Sequence, residues 1–313
     1  MKILALLLML LLPSCSKHGA LPDLAVYTGQ GFQLINVESK STRLIPCSVP
    51  VGSFSIAPNG KFLAFASQDG RSAMGQIYRL DFETAQVRKL TSAAFYFASK
   101  RFPSSAFPER ELYSDVEVSP DSQSVAFSVH SVADNNSDDS VGLSGPLAVM
   151  ELLSGKVRVL NSTEKVDGEG PAFANSPRWS NDGKKLLIAF EVSGAITSAN
   201  GDTVRWFDRH MPKPFDDWQV SPKGWWSNKE ILCVWDLKRS GIGKLIRLDF
   251  TTGQVSTASS FLAIPEAATN DVVGVDVTSR YVLVQYDGRF ELFRRGGELL
   301  RTWRTGTRLR LFN

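Results

Sequence analysis

Ser55-Ile56-Ala57-Pro58-Asn59-Gly60-Lys61-Phe62-Leu63-Ala64-Phe65 decides the fold, because the same pattern returns twice. It reappears as Glu117-Val118-Ser119-Pro120-Asp121-Ser122-Gln123-Ser124-Val125-Ala126-Phe127, and again as Arg178-Trp179-Ser180-Asn181-Asp182-Gly183-Lys184-Lys185-Leu186-Leu187-Ile188. Each copy joins the end of one strand to the start of another through a tight polar turn. Proline fixes φ, Asn and Asp side chains bond their own backbone, and glycine accepts the positive φ that a sharp reversal needs. Further short alternating runs follow each copy, so the repeating unit is four antiparallel strands, and serial repetition of that unit predicts a β-propeller.

Working outward, the second blade uses residues near 52–57, Phe62–Ser67, Gln76–Phe82 and Gln86–Leu90. The third runs from Asp115 to Leu160, with its third strand at Leu147–Leu152. The fourth starts at Pro177 and takes Val204-Arg205-Trp206-Phe207 as its third strand. The fifth is read as Gly224–Asn228, Ile231–Leu237, Lys244–Phe250 and Gln254–Thr257, and the sixth as Val272–Val277, Tyr281–Tyr286, Arg289–Arg294 and Glu298–Trp303. Residues 24–45 supply only three strands, while Thr307–Phe312 is an alternating strand with no blade of its own. Pairing the two ends completes a six-bladed, all-β ring of four-stranded blades and removes two open sheet edges.

Residues 1–23 set the expected compartment. Lys2 precedes ten uninterrupted apolar residues, Ile3 to Leu12, and Pro13-Ser14-Cys15 ends the run. Ten is half of what a membrane-spanning helix needs and suits the apolar core of a signal peptide. Leu12-Pro13-Ser14-Cys15 resembles the lipobox of bacterial lipoproteins, with Cys15 as the lipidated first residue of the mature chain. The expected organisation is a signal peptide over 1–14, a tether over 15–23 and one propeller domain over 24–313. If Cys15 is lipidated, Ser16 after it resembles the pattern of lipoproteins sent on to the outer membrane, so the expected location is the periplasmic side of the bacterial envelope, anchored in the outer membrane through lipid alone.

Composition fits an exported globular body. There are three cysteines, and with Cys15 assigned, at most one disulfide is possible, so a disulfide framework is excluded. Cys233, inside Ile231-Leu232-Cys233-Val234-Trp235, reads as a buried small hydrophobe. The net charge of +3 is interspersed and no long basic run occurs, which argues against nucleic acid as a partner.

The turns carry a resemblance as well. Ala57-Pro58-Asn59-Gly60-Lys61, Ser119-Pro120-Asp121-Ser122 and Trp179-Ser180-Asn181-Asp182-Gly183-Lys184 resemble the aromatic-Ser-Pro-Asp-Gly-Lys turn of the WD-like repeats in TolB-like periplasmic propellers. The same repeats occur in the propeller domains of prolyl-oligopeptidase-type enzymes. The resemblance implies the fold and no site residues.

Function is read from where the repeat is interrupted. In an antiparallel blade the first-to-second and third-to-fourth strand turns leave one end of the ring, and the other connections leave the opposite end. The first set is minimal, as at Glu83-Thr84-Ala85, Ser154-Gly155, Thr252-Gly253 and Gly296-Gly297. The long segments, 91–114, 130–146, 161–176 and 192–202, belong to the second set, which makes that end the expected working face. Within it Phe95, Tyr96, Phe97, Lys100, Arg101, Phe102, Phe107 and Tyr113 combine aromatic and cationic side chains, the mixture enriched at partner-binding surfaces. The alternative is that these aromatics plug the central channel.

A secondary candidate is Arg205, Trp206, Arg209, His210, Asp216, Asp217 and Trp218. Six of the seven tryptophans fall between 179 and 235, where their alternating placement is expected to pack blades together. Asp134-Asn135-Asn136-Ser137-Asp138-Asp139 offers oxygens but lacks the spacing of a calcium loop, and reads as a solvated loop. No Gly-x-Ser-x-Gly elbow occurs, and His18, His130 and His210 have no zinc spacing. No cofactor, catalytic residue or metal is assigned. The expectation is a monomeric, non-catalytic propeller that binds a protein or an envelope polymer; the alternative is a glycan- or peptide-cleaving hydrolase or lyase with carboxylates at the channel mouth.

Overall fold

The computed structural model describes residues 22–67, 75–91, 110–132, 142–160, 175–189, 194–201, 204–206, 219–236, 243–257, 272–286, 288–304 and 308–311. These form six four-stranded antiparallel sheets, the blades of a propeller. Blade one is β1 (Leu24–Tyr27), β2 (Gly31–Ile35) and β3 (Thr42–Pro46), and its innermost place is filled from the far end of the chain by β24 (Arg308–Leu311). The expected closure is therefore present, with Leu24 opposite Leu311 and Tyr27 opposite Arg308.

Blade two is β4 (Val51–Ile56), β5 (Phe62–Ser67), β6 (Ile77–Asp81) and β7 (Val87–Lys89), close to its sequence reading. Blade three is β8 (Arg110–Val118), β9 (Ser124–Val132), β10 (Gly142–Glu151) and β11 (Val157–Val159). Its strands are longer than expected, so the ends of the presumed loops 91–114 and 130–146 are strand. A bulge between Ser114 and Glu117 interrupts the rhythm of β8, and one between Ser144 and Leu147 hides the start of β10.

Blade four is β12 (Asn175–Trp179), β13 (Lys185–Ala189), β14 (Gly194–Ser198) and β15 (Val204–Trp206). Here the third strand is Gly194–Ser198, within a segment read as loop, and Val204–Trp206 is the fourth. Gly194 to Thr197 are all buried, and burial on both faces removes the polar alternation that marks a strand.

Blade five is β16 (Gln219–Trp225), β17 (Glu230–Asp236), β18 (Gly243–Asp249) and β19 (Val255–Thr257). Its first strand begins five residues before the expected Gly224 and carries Pro222 at a bulge. On an innermost edge strand the missing proline N–H need not break a ladder, which is why the proline is tolerated. Blade six is β20 (Val272–Val277), β21 (Tyr281–Tyr286), β22 (Arg289–Arg294) and β23 (Leu299–Arg304), as read within one residue.

The cores lie between blades. Phe32, Phe54, Phe65 and Leu80 join blades one and two, and Ala64, Tyr113, Phe127 and Met150 join two and three. Leu24, Val26, Tyr281, Leu283 and Leu311 close blade six onto blade one. Main chains also approach closely: a Cβ on Gly224 would stand 2.2 Å from the Val275 carbonyl oxygen of the next blade. Cys233 is fully buried, as expected, and burial pushes its thiol up.

The short-turn end is cross-braced. Gly60 and Gly183 have φ of 67° and 68°, and Ser122 takes the same left-handed position at 59°. Its hydroxyl accepts from the Asn59 amide of the preceding turn at 3.2 Å, which offsets the cost of a side chain there. The Asp182 amide likewise donates to Asn228 Oδ1 at 3.0 Å, and Arg295 donates to the carbonyls of Trp226 and Thr278. Arg280 of blade six pairs with the buried Asp23, whose other oxygen accepts from the Val37 amide at 2.9 Å.

Two outcomes follow from ring closure. Removal of residues 307–313 is expected to lower the thermal midpoint and raise protease sensitivity, and a melt matching the full chain refutes closure by β24. Gly224→Ala is expected to cost roughly 1–3 kcal/mol in urea unfolding, because backbone must move to admit the methyl group.

Candidate functional site

The feature that distinguishes this propeller's channel is a ring built from one repeat position. The residue just before the buried apolar residue that opens each turn is Ser55, Glu117, Arg178, Gly224, Asp276 and, on β24, Arg310. The following residues, Ile56, Val118, Trp179, Trp225, Val277 and Leu311, are all buried among the blades. Strand alternation thus sends one residue into the blade interface and its neighbour to the channel.

Four of these six are charged and they meet. Arg178 Nη1 lies 3.2 Å from Glu117 Oε2 and 3.3 Å from Asp276 Oδ1, and Arg310 Nη1 lies 2.7 Å from the same Asp276 oxygen. Blades three, four, six and one are thereby tied across the channel. The side chains of Arg178, Glu117, Arg310 and Asp276 are only 10, 13, 17 and 18% exposed. Tryptophans fix the guanidinium's strand: Trp179 Nε1 donates to the Glu117 carbonyl at 3.1 Å and Trp225 Nε1 to the Arg178 carbonyl at 2.8 Å. Both bonds run to the preceding blade, so these two rings pack between blades as the sequence reading expected. The Ser55 hydroxyl accepts from the Val118 amide at 3.0 Å, tying blade two to blade three.

Burial governs the electrostatics. It pushes the Asp276 carboxyl up to about 6, with Arg178 opposing the rise and Glu117 adding to it. The Glu117 carboxyl is also held up by burial, against the pull of Arg178. Burial by itself would lower Arg178, but Asp276 and Glu117 outweigh it and hold the guanidinium firmly charged. Beside the ring is a polar cavity of about 40 Å³, lined also by Asn181, with room for little more than a few waters. Chemically, the ring can carry a proton on Asp276 near neutral pH, and it braces four blades. Among the described residues, no group of three His, Cys, Asp or Glu is placed to hold a metal ion.

The sequence reading passed over this ring, although Ser55, Glu117 and Arg178 head the three repeats that decided the fold. The available signal was one repeat position changing from serine to acid to base around the ring. The expected working face lies at the other end of the inner strands, and Phe95, Tyr96, Phe97, Lys100, Arg101, Phe102 and Phe107 fall outside the described residues. Tyr113 is described and sits in the core, 2% exposed, edge-on to Phe127 at 5.4 Å. Arg205 and Trp206 lie on β15, the outermost strand of blade four, while Arg209, His210, Asp216, Asp217, Trp218, Cys15 and the acidic stretch 134–139 lie outside the described residues.

No protein-family model matches the chain, and no curated protein matches it. Solved structures do. TolB from Acinetobacter baumannii is 15% identical with a TM-score of 0.52, over 93% of this chain and 63% of that one. A putative TolB from Agrobacterium tumefaciens is 14% identical with a TM-score of 0.54, over 93% of this chain and 99% of that one. An oligogalacturonate lyase in complex with manganese is 12% identical with a TM-score of 0.55, over 88% of this chain and 70% of that one. The fold is that of TolB-like propellers, as the turns implied. Identities this low show architecture alone, and the chain spans less than two thirds of the Acinetobacter protein.

The raised carboxyl has a measurable sign. With Asp276 titrating near 6 when folded and near 3.8 otherwise, folding takes up a proton between those values. Its stabilising contribution is therefore fully present below about 3.8 and is lost as pH rises through 6. Asp276→Asn removes this dependence. The stability of the parent relative to the variant, from urea unfolding, is expected to rise by up to about 3 kcal/mol between pH 7 and pH 4. A pH-independent difference overturns the assignment.

Proposed function

We propose that this chain is an exported, membrane-tethered binding propeller of the bacterial envelope that takes a protein or an envelope polymer on its loop-rich end. The observation that carries this reading is the asymmetry between the two ends of the ring. At one end, turns of a few residues bond to one another from blade to blade, and the channel beside them is filled by the Glu117–Arg178–Asp276–Arg310 ring. All the longer connections belong to the other set. Export rests on the apolar run Ile3 to Leu12 and tethering on Cys15. The fold shared with TolB structures supports a binding role and an envelope location.

The test is a crosslinked pull-down from intact envelopes. Replacing Phe95, Tyr96 and Phe97 with alanine is expected to abolish capture while leaving the thermal midpoint unchanged, and Cys15→Ser is expected to release the protein from the membrane fraction. Undiminished capture by the triple variant removes those aromatics from the reading.

A second reading rests on one observation, two raised carboxyls facing one another across Arg178 in the channel. Paired carboxyls of this kind serve glycan-cleaving enzymes, and one structural neighbour is an oligogalacturonate lyase. Both carboxyls here are engaged by arginine, which favours bracing over acid–base work. Turnover of an oligosaccharide or peptide that Glu117→Gln abolishes without a change in melting would reverse that order.

A further inference from the structure

We propose that the outer edge of blade six accepts an extended acidic peptide segment of a partner protein as a fifth strand. The first observation is charge. Residues 288–313 contain seven arginines, no lysine and two glutamates, a net of +5 in a chain whose total is +3, so the rest of the chain is slightly acidic. Several of these arginines are committed: Arg289 to Glu291 at 3.1 Å, Arg294 to Glu298 at 3.0 Å and Arg310 to Asp276. Arg301 and Arg304 on β23 are exposed and, among the described residues, have no carboxylate within ion-pair distance. Arg304 also stands directly opposite Arg289 across the strand pair, an arrangement that like charges disfavour and an added anion relieves.

The second observation is the edge itself. β23 is the last strand of its sheet, and among the described residues no strand pairs with its outer side. Propellers blunt such edges by keeping outermost strands short: β7, β11, β15 and β19 have three residues each, and β3 has five. β23 has six. The regular stretch Arg301–Arg304 offers an incoming strand main-chain bonds, the usual source of affinity when a peptide adds to a sheet. Side-chain placement completes the fit. Leu292 opposite Arg301 and Phe290 opposite Trp303 share one face, with the Arg301 guanidinium 4.9 Å from the Trp303 ring, and Arg304 lies on the other face beside Thr302. Leu299, 50% exposed, offers apolar contact at the start of the strand. Arg301 and Arg304 are three residues apart on opposite faces, so an incoming strand with acidic residues three apart sets one beside each.

The probe is a fluorescein-labelled heptapeptide of valine and threonine with glutamates three positions apart, measured by anisotropy against the full chain. Binding is expected, weakening with salt, and lost when alternate peptide amides are N-methylated. Arg301→Glu with Arg304→Glu is expected to weaken it by about tenfold or more, as two exposed charge pairs turn repulsive, with the melting temperature unchanged. The same double variant is expected to bind the lysine-for-glutamate peptide instead. Equal binding of the N-methylated peptide overturns strand addition, equal binding by the double variant overturns the site, and preference for phosphatidylglycerol vesicles over the peptide overturns the occupant.

Discussion

A ring of sheets built from one chain depends on the seam where its two ends meet, and here the seam is the pairing of β24 with β1. Four residues on each side supply it, inside blade one. The seam is reinforced by Leu311 buried with Leu24, by Arg310 reaching Asp276 of blade six, and by Arg280 pairing with Asp23. Through Asp276 the reinforcement passes to Arg178 and then to Glu117, so one set of charges links the two chain ends to the middle of the chain. Taking these groups out of water is costly, and they persist because each carboxylate meets a guanidinium. Asp276, which has Arg178 and Arg310 but also the nearby Glu117, shows the residual cost as a carboxyl displaced upward.

Most of the architecture was legible because turn chemistry and strand alternation are local. Pro58-Asn59-Gly60 and Asn181-Asp182-Gly183 announce their reversals without knowledge of their neighbours, and the unmatched end strands announce closure. The misreadings share a physical cause. Gly194–Ser198 is buried on both faces and loses its alternation, β16 carries a proline that an edge strand tolerates, and bulges in β8 and β10 break the period. The charged ring was legible only by comparing one position between repeats, since each of its residues looks ordinary within its own blade. Tyr113 illustrates the converse: beside a run of aromatics it reads as surface, yet its strand position turns it inward against Phe127.

The two ends of the propeller therefore differ in kind. The short-turn end is held by hydrogen bonds between consecutive turns and by the charged ring, leaving little there that can rearrange independently. At the other end, among the described residues, Gly75 and Tyr113 exchange main-chain bonds between blades two and three. A repeat scaffold whose blades are held by their own interfaces can carry varied connections without loss of closure.

Asp23 gives the molecule a mechanical property as well. It is the last residue before β1, it is buried, and it grips both the Val37 amide in its own blade and Arg280 in blade six. Tension on the chain upstream of residue 23 reaches this clamp before it reaches the strand pair at the seam. Load entering there is shared by blade one, through the Val37 amide, and by blade six, through Arg280.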